Sequence, residues 1–269
     1  MADSYTVDAA AAQSSVATTV TQTLVPPGSV SSGTASIITG AISGALAGLT
    51  NVSVFSPTVT PSQTVKLTDL AAGTNLVQIA ASAAGQTTQL DLSGSATGVK
   101  DLVVQLGGKA DVVVGNSVSF LSTGAGSEVN AKANTEGLTI VAGGNSSIVA
   151  GSGGDTVVAS SGADSVNAGA GNDMLIVGYT VSPASKEATA GKVQKDIYNG
   201  GKGDDTIDLS TAEFASIKKG AGKTIKFTFE DGTVAVAKNF ETFILENNDG
   251  TVDTIGVKDL KHSLDDFFS

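Results

Sequence analysis

The sequence has no cysteine, no tryptophan and no arginine, and its one histidine is His262. Without cysteine there is no disulfide, no thiolate nucleophile and no cysteine-based zinc site. With a single histidine, a Ser/His or Cys/His nucleophilic centre is excluded. No H-E-x-x-H, G-x-S-x-G or P-loop pattern occurs either, so the chain is not expected to be an enzyme. A glycosidase-type carboxylate pair is the catalytic arrangement that the residue types leave open. Acids are sparse over residues 1–140, however, and aromatics make up only 4% of the chain, too few for an ordinary sugar-binding cleft.

Long apolar runs are also missing. The longest, residues 35–49, is too short and too interrupted by Gly and Ser to span a bilayer. Its Gly40, Gly44 and Gly48 have the spacing of a membrane packing motif, but a buried helix or strand of small residues is the expected reading. All the basic residues are lysine, and the net charge is −11. That charge argues against nucleic acid as a partner, because phosphate binding needs a basic surface. Residues 1–100 hold two lysines (Lys66, Lys100) against four aspartates (Asp3, Asp8, Asp69, Asp91), so most of the acid lies further along.

What the chain does have is glycine, 33 residues in 269, and an apolar share of 41% made up mostly of small aliphatics. Short turns and thin cores need that combination, as in repetitive β architectures. Residues 1–64 read as an Ala/Ser/Thr/Val-rich N-terminal arm, either loose or a strand awaiting an edge. Over 65–140, short apolar runs (76–80, 88–92, 101–106, 111–114) recur about every ten residues. A β-solenoid and a β-sandwich both fit them. Residues 209–269 read as a C-terminal flank. It comprises a helix over 210–220 with Ser210 and Glu213 as a capping box, a hairpin over 224–237 around an Asp-Gly turn, a further strand over 239–252, and an amphipathic tail carrying Leu260, Leu264 and Phe268.

Between these lies a regular stretch, 141–208. Nonapeptides begin at 141, 150, 159 and 168, and again at 191 and 200 after a 14-residue interruption, 177–190. The sixth position is Asp155, Asp164, Asp173, Asp196 and Asp205, with Ser146 in the first unit. The eighth is apolar: Val157, Val166, Leu175, Tyr198, Ile207. The glycines of each turn permit positive φ and let carbonyls point inward. If two nonapeptides make one coil, residues 18 apart stack. Asp155 and Asp173 are 18 apart. Asp173 and Asp205, like Asp164 and Asp196, are 32 apart, which is 18 plus the interruption. Carboxylates stacked one strand spacing apart repel. A hard cation with oxygen ligands relieves that repulsion, and calcium's adaptable shell of six to eight oxygens suits it better than magnesium or zinc.

The stretch 150–208 resembles the RTX (repeats-in-toxin, or hemolysin-type) repeat G-G-x-G-x-D-x-U-x, which residues 200–208 match at every defined position. The resemblance implies an all-β fold, a parallel β-solenoid of the β-roll type, binding calcium. The expected ligands are Asp155, Asp164, Asp173, Asp196 and Asp205 in three pairs (155/173, 173/205, 164/196), completed by turn carbonyls from Gly151, Gly153, Gly169, Gly171, Gly201 and Gly203. It also implies type I secretion, read from an uncleaved C-terminal signal. The start, MADSYTVDAA, lacks a basic region followed by an apolar one, and the end, DDFFS, is acidic then hydrophobic. The expectation is an extracellular or cell-surface protein that folds on meeting calcium outside the cell. It would then assemble with itself as a surface layer or biofilm-matrix filament. The alternative is a calcium-stabilised adhesin. Expected partners are calcium, further copies of the chain and a cell-surface polysaccharide.

Overall fold

A computed structural model describes residues 2–23, 32–59, 63–80, 85–160, 162–178, 195–212, 214–229, 232–246 and 251–260. Two largely parallel sheets face one another, their strands numbered along the chain. Sheet one has eleven, in the order β1 (Ala2–Asp8), β2 (Asn51–Pro57), β4 (Thr74–Ile79), β6 (Leu102–Leu106), β8 (Val118–Thr123), β10 (Thr139–Ala142), β12 (Thr156–Ala159), β14 (Met174–Val177), β16 (Thr206–Asp208), β20 (Thr242–Glu246) and β21 (Val252–Gly256). Sheet two has ten, in the order β17 (Phe214–Lys219), β18 (Thr224–Phe229), β19 (Val234–Lys238), β15 (Lys195–Lys202), β13 (Ser165–Ala170), β11 (Ser147–Val149), β9 (Glu128–Asn130), β7 (Ala110–Val114), β5 (Thr88–Leu92) and β3 (Thr64–Lys66). From β3 to β16 the chain alternates between sheets, one strand on each per coil. Residues 65–140 are thus solenoid and not sandwich.

The 18-residue stacking holds. Val157 pairs with Leu175, Leu175 with Ile207 and Ile207 with Phe243; on the facing sheet Ile148, Val166, Tyr198 and Ala237 stack the same way. These columns form the core between the sheets, and all five residues named at eighth positions are buried in it. Register is kept across the interruption on both sheets: Val166 meets Tyr198 and Met174 meets Thr206. At the C-terminal end the column widens to aromatics. Phe214 packs on Phe227 and Phe229, and Phe227 on Phe243, closing the core.

The N-terminal segment is a packed layer and not an arm. β1 pairs antiparallel with β2, and two helices, α1 (Ala9–Thr23) and α2 (Ser32–Ala45), lie on the outer face of sheet one. Asp8 ends β1 and caps α1, its Oδ1 accepting the Ala11 N–H at 3.0 Å. The helices bury Ala12, Val16 and Val20 and Ile38 and Ile42, with Leu46 of the turn after α2, against a stripe of Leu76, Val103, Phe120, Val141, Val158 and Ile176. Beneath the helices sheet one is therefore buried on both faces, and β6 reads as a continuous run with all five residues buried. The outer face of sheet two is solvated, so its β5 alternates.

Two further expectations change. Residues 214–219, expected in a helix, form β17, paired antiparallel with β18. Packing of the partly buried Phe214 on two phenylalanines outweighs a local capping signal, and Gly220 closes the β17–β18 turn, its N–H donating to the Thr224 carbonyl at 2.7 Å. Glu213 of the expected box, and Leu264 and Phe268 of the expected tail helix, lie outside the described residues. Secondly, Gly40 and Gly44 sit on the exposed face of α2, with no atom within 4 Å of an added Cβ. The packing face is the isoleucine one. Gly44→Ala is thus expected to stabilise the protein by about 0.5–1 kcal/mol through backbone entropy. Urea unfolding checks this, and a destabilised variant would show that the glycine face is packed.

Candidate metal centre

The turns that enter sheet one (150–155, 168–173, 200–205) bring Asp155, Asp173 and Asp205 onto one edge of the roll. Asp164 and Asp196 share the opposite edge. All five are at most 2% exposed. One hydrogen-bond rule organises both columns: the Oδ1 of each aspartate accepts a main-chain N–H from one coil earlier. Leu138 donates to Asp155 (2.8 Å), Asp155 to Asp173 (2.8 Å) and Asp173 to Asp205 (2.9 Å). On the other edge Ser146 donates to Asp164 (2.7 Å) and Asp164 to Asp196 (2.9 Å).

The second oxygens differ. Asp155 Oδ2 accepts the Gly151 N–H at 3.0 Å. Among the described residues, the Oδ2 atoms of Asp164, Asp173 and Asp205 are buried with no partner. A buried carboxylate oxygen left so costs several kcal/mol unless a proton or cation meets it. The titration reflects that. Burial pushes Asp155 up to about 6, Asp164 and Asp173 up to about 7, and Asp205 upward, with main-chain N–H donors pulling the other way. Stacked carboxylates add to the rise: Asp196 beside Asp164, and Asp155 and Asp205 beside Asp173.

The six glycines form two columns on the Asp155 edge. A Cβ on Gly169 or Gly201 would run into the carbonyl oxygen of Gly151 or Gly169 one coil before, and one on Gly171 or Gly203 into that of Gly153 or Gly171. These four glycines have φ between +104° and +133°. Gly151 and Gly153 press in the same way on the carbonyls of Asn134 and Glu136. A main-chain carbonyl oxygen of each coil thus lies against the glycine of the next. Among the described residues no three His, Cys, Asp or Glu side chains converge, so a cation held here would need oxygens besides the carboxylates. The donor set is oxygen throughout, with single carboxylates one coil apart. It fits a hard ion of adaptable geometry and not zinc.

Ser146 closes the second column as its place in the first nonapeptide implied, whereas Ser127 beyond it and Glu241 on the first edge were not expected. On the second edge serines stand in for aspartate. Ser146 Oγ accepts the Ser127 N–H at 3.2 Å and donates to the Gly143 carbonyl at 2.5 Å; Ser127 Oγ accepts from Ala110 and donates to Gly124. The hydroxyl brings its own proton to the turn carbonyl, so these rungs need no ion. On the first edge the column continues to Glu241, whose Oε2 accepts the Asp205 N–H at 3.0 Å. Glu241 lies 36 residues beyond Asp205, one coil of 18 plus an 18-residue excursion, and that spacing was the available signal.

Four copies of the RTX calcium-binding nonapeptide repeat are matched, over residues 142–178 and 194–209. The stretch that builds the two aspartate columns is thus a calcium-binding RTX roll, and calcium is its ion. No curated protein and no solved structure matches the chain.

Proposed function

We propose that this chain is a secreted structural protein whose roll takes up calcium outside the cell, and which assembles with copies of itself into a surface-layer or biofilm-matrix component. Calcium sits between Asp155 and Asp173, between Asp173 and Asp205, and between Asp164 and Asp196, with carbonyls of the glycine columns completing the shells. The three orphaned buried oxygens carry this reading: Asp173 Oδ2 falls in both of its pairs, Asp205 Oδ2 in the second of these, and Asp164 Oδ2 in the pair on the opposite edge. Extracellular calcium modules bind at roughly 10⁻⁴–10⁻³ M, far above cytosolic free calcium, so binding favours the folded roll only after export.

Self-assembly is supported by the edges of sheet one. β1 and β21 each pair on one side and run antiparallel to neighbours that are themselves parallel, so both point the same way. Each exposes a large apolar side chain, Tyr5 at 45% and Val252 at 54%. Joining one copy's β21 to the next copy's β1 is a head-to-tail contact, the kind that propagates from copy to copy. The adhesin reading has one observation in its favour, a cleft of about 260 Å³ beside the end of α1. Gln78, Gln105 and Ser122 line it and could face sugar hydroxyls of a polysaccharide.

Circular dichroism and negative-stain electron microscopy of the purified protein, with 10 mM calcium and with chelator, test both parts. The expected outcome is calcium-dependent β content followed by filaments or lattices. Identical spectra and melting temperatures in the two buffers would sink calcium-driven folding. Stable monomers in calcium would sink assembly.

A further inference from the structure

The first-edge column ends in a pair that breaks its own rule. At Asp173 and Asp205, one carboxylate oxygen takes the N–H of the preceding coil and the other is left without a partner. Glu241 follows the first half: Oε2 takes the Asp205 N–H. Its other oxygen, Oε1, is met by the Lys223 ammonium. The ammonium thus stands where the pattern leaves room for a cation. The Lys223 main chain is held beside the column as well, its carbonyl accepting the Asn239 N–H at 3.2 Å.

The space around this pair is lined with oxygen. A Cβ on Gly200 would lie 2.6 Å from Asp205 Oδ2 and 2.6 Å from the Asn239 carbonyl oxygen, so the missing side chain leaves a cradle that both face. Asn239 holds φ +57°, a left-handed conformation that asparagine tolerates. The cradle has an unpartnered carboxylate oxygen of a residue 0% exposed, a main-chain carbonyl, and Glu241 one rung away. Its donors are of the kind found in the column below it.

We propose that Lys223 is a built-in substitute for calcium at the C-terminal end of the column, keeping closed a further calcium site made by Glu241, Asp205 and the Asn239 carbonyl. The proposal rests on calcium binding at Asp173 and Asp205. The Lys223 side chain is 55% exposed and that of Glu241 22%, so the pair is an ordinary surface ion pair that adds little stability. Its consequence is occupancy: a fixed positive charge on Glu241 repels a divalent ion and takes up the ligand oxygen it would need. It ends the stack where the roll gives way to the β18–β19 hairpin. On the other edge Ser146 and Ser127 close the opposite end with hydroxyl protons.

Calcium stoichiometry by native mass spectrometry and equilibrium dialysis of the full chain tests this. Lys223→Gln is expected to bind one calcium more than the parent. Lys223→Arg, which keeps the charge, should bind the parental number, as should the double variant Lys223→Gln/Glu241→Gln. A folded Lys223→Gln protein with the parental number overturns the proposal, as does a gain that survives Glu241→Gln. If Lys223→Gln folds poorly without calcium, the melting temperature decides. Calcium should raise it more steeply than in the parent, and an equal rise overturns the proposal. A parent chain that binds no calcium would instead refute the calcium assignment on which the proposal rests.

Discussion

Asp173→Asn is expected to remove two calcium positions at once, because Asp173 is the aspartate shared by two pairs on the first edge. Asparagine keeps the oxygen that accepts the Asp155 N–H at 2.8 Å. It loses the charged Oδ2, which is buried without a partner. A site with a dissociation constant of about 10⁻⁴ M contributes about 2.7 kcal/mol in roughly 10 mM calcium. Loss of two such sites should cost about 5 kcal/mol in calcium, comparable to the whole stability of many domains. Without calcium the sign should vanish or reverse, since the substitution removes a buried, uncompensated charge. Urea unfolding with and without calcium checks both halves. Asp111→Asn is the control: Asp111 lies on β7, accepts from Gln89 Nε2 at 2.7 Å, and belongs to neither column. If Asp173→Asn in calcium unfolds with the parent, the first-edge assignment is wrong.

Much of the roll was legible because its period is enforced twice. A buried aliphatic or tyrosine at every eighth position and a polar residue at every sixth must both recur for the coil to close, and an insertion shows itself only by shifting both together. Counting therefore located Asp196 and Asp205 correctly across the interruption, as the pairing of Val166 with Tyr198 and Met174 with Thr206 bears out. The hairpin over 224–237 was legible for a similar reason, since Asp-Gly between alternating residues has few other solutions. The N-terminal helices were not. α1 and α2 carry no charges in their first or last turns, and their buried faces are spaced by alanines, valines and isoleucines that suit strands equally well. They are helices because sheet one presents a continuous apolar outer stripe that needs a cover. Only the assembled sheet creates that stripe. β17 failed in the opposite direction: its capping pattern was locally sound, and a partner strand overrode it. Glu241 and Lys223 escaped because sequence counting stopped where the nonapeptides stop, whereas the coil goes on for another turn without them.

Calcium-free protein is expected to become less stable as pH rises from about 5 to 8, and calcium should reverse that trend. Asp155 is pushed up to about 6 and Asp164 and Asp173 to about 7, from an unfolded value of 3.8, by burial and then by stacked neighbours. Between 3.8 and about 7 the folded state therefore holds more protons than the unfolded one, and stability must fall with pH. Below 3.8 both states are protonated and the contribution is complete. Above about 7 both are ionised, and the folded state carries buried, unneutralised carboxylates. Glu241 has the opposite sign: burial raises it, but the Asp205 N–H and the Lys223 ammonium outweigh that and hold it below its ordinary 4.5, so its contribution changes only below the window considered. Calcium requires ionised ligands, so its stabilisation grows with pH. Melting curves at pH 5 and pH 8 should accordingly cross: in calcium-stripped buffer the melting temperature is higher at pH 5, and in 10 mM calcium it is higher at pH 8. General repulsion from a net charge of −11 would also lower stability at high pH. Asp173→Asn separates the two causes, because it barely alters net charge yet removes one of the most shifted carboxyls. Its calcium-free slope should be shallower than the parent's; an unchanged slope would place the pH dependence outside the aspartate columns.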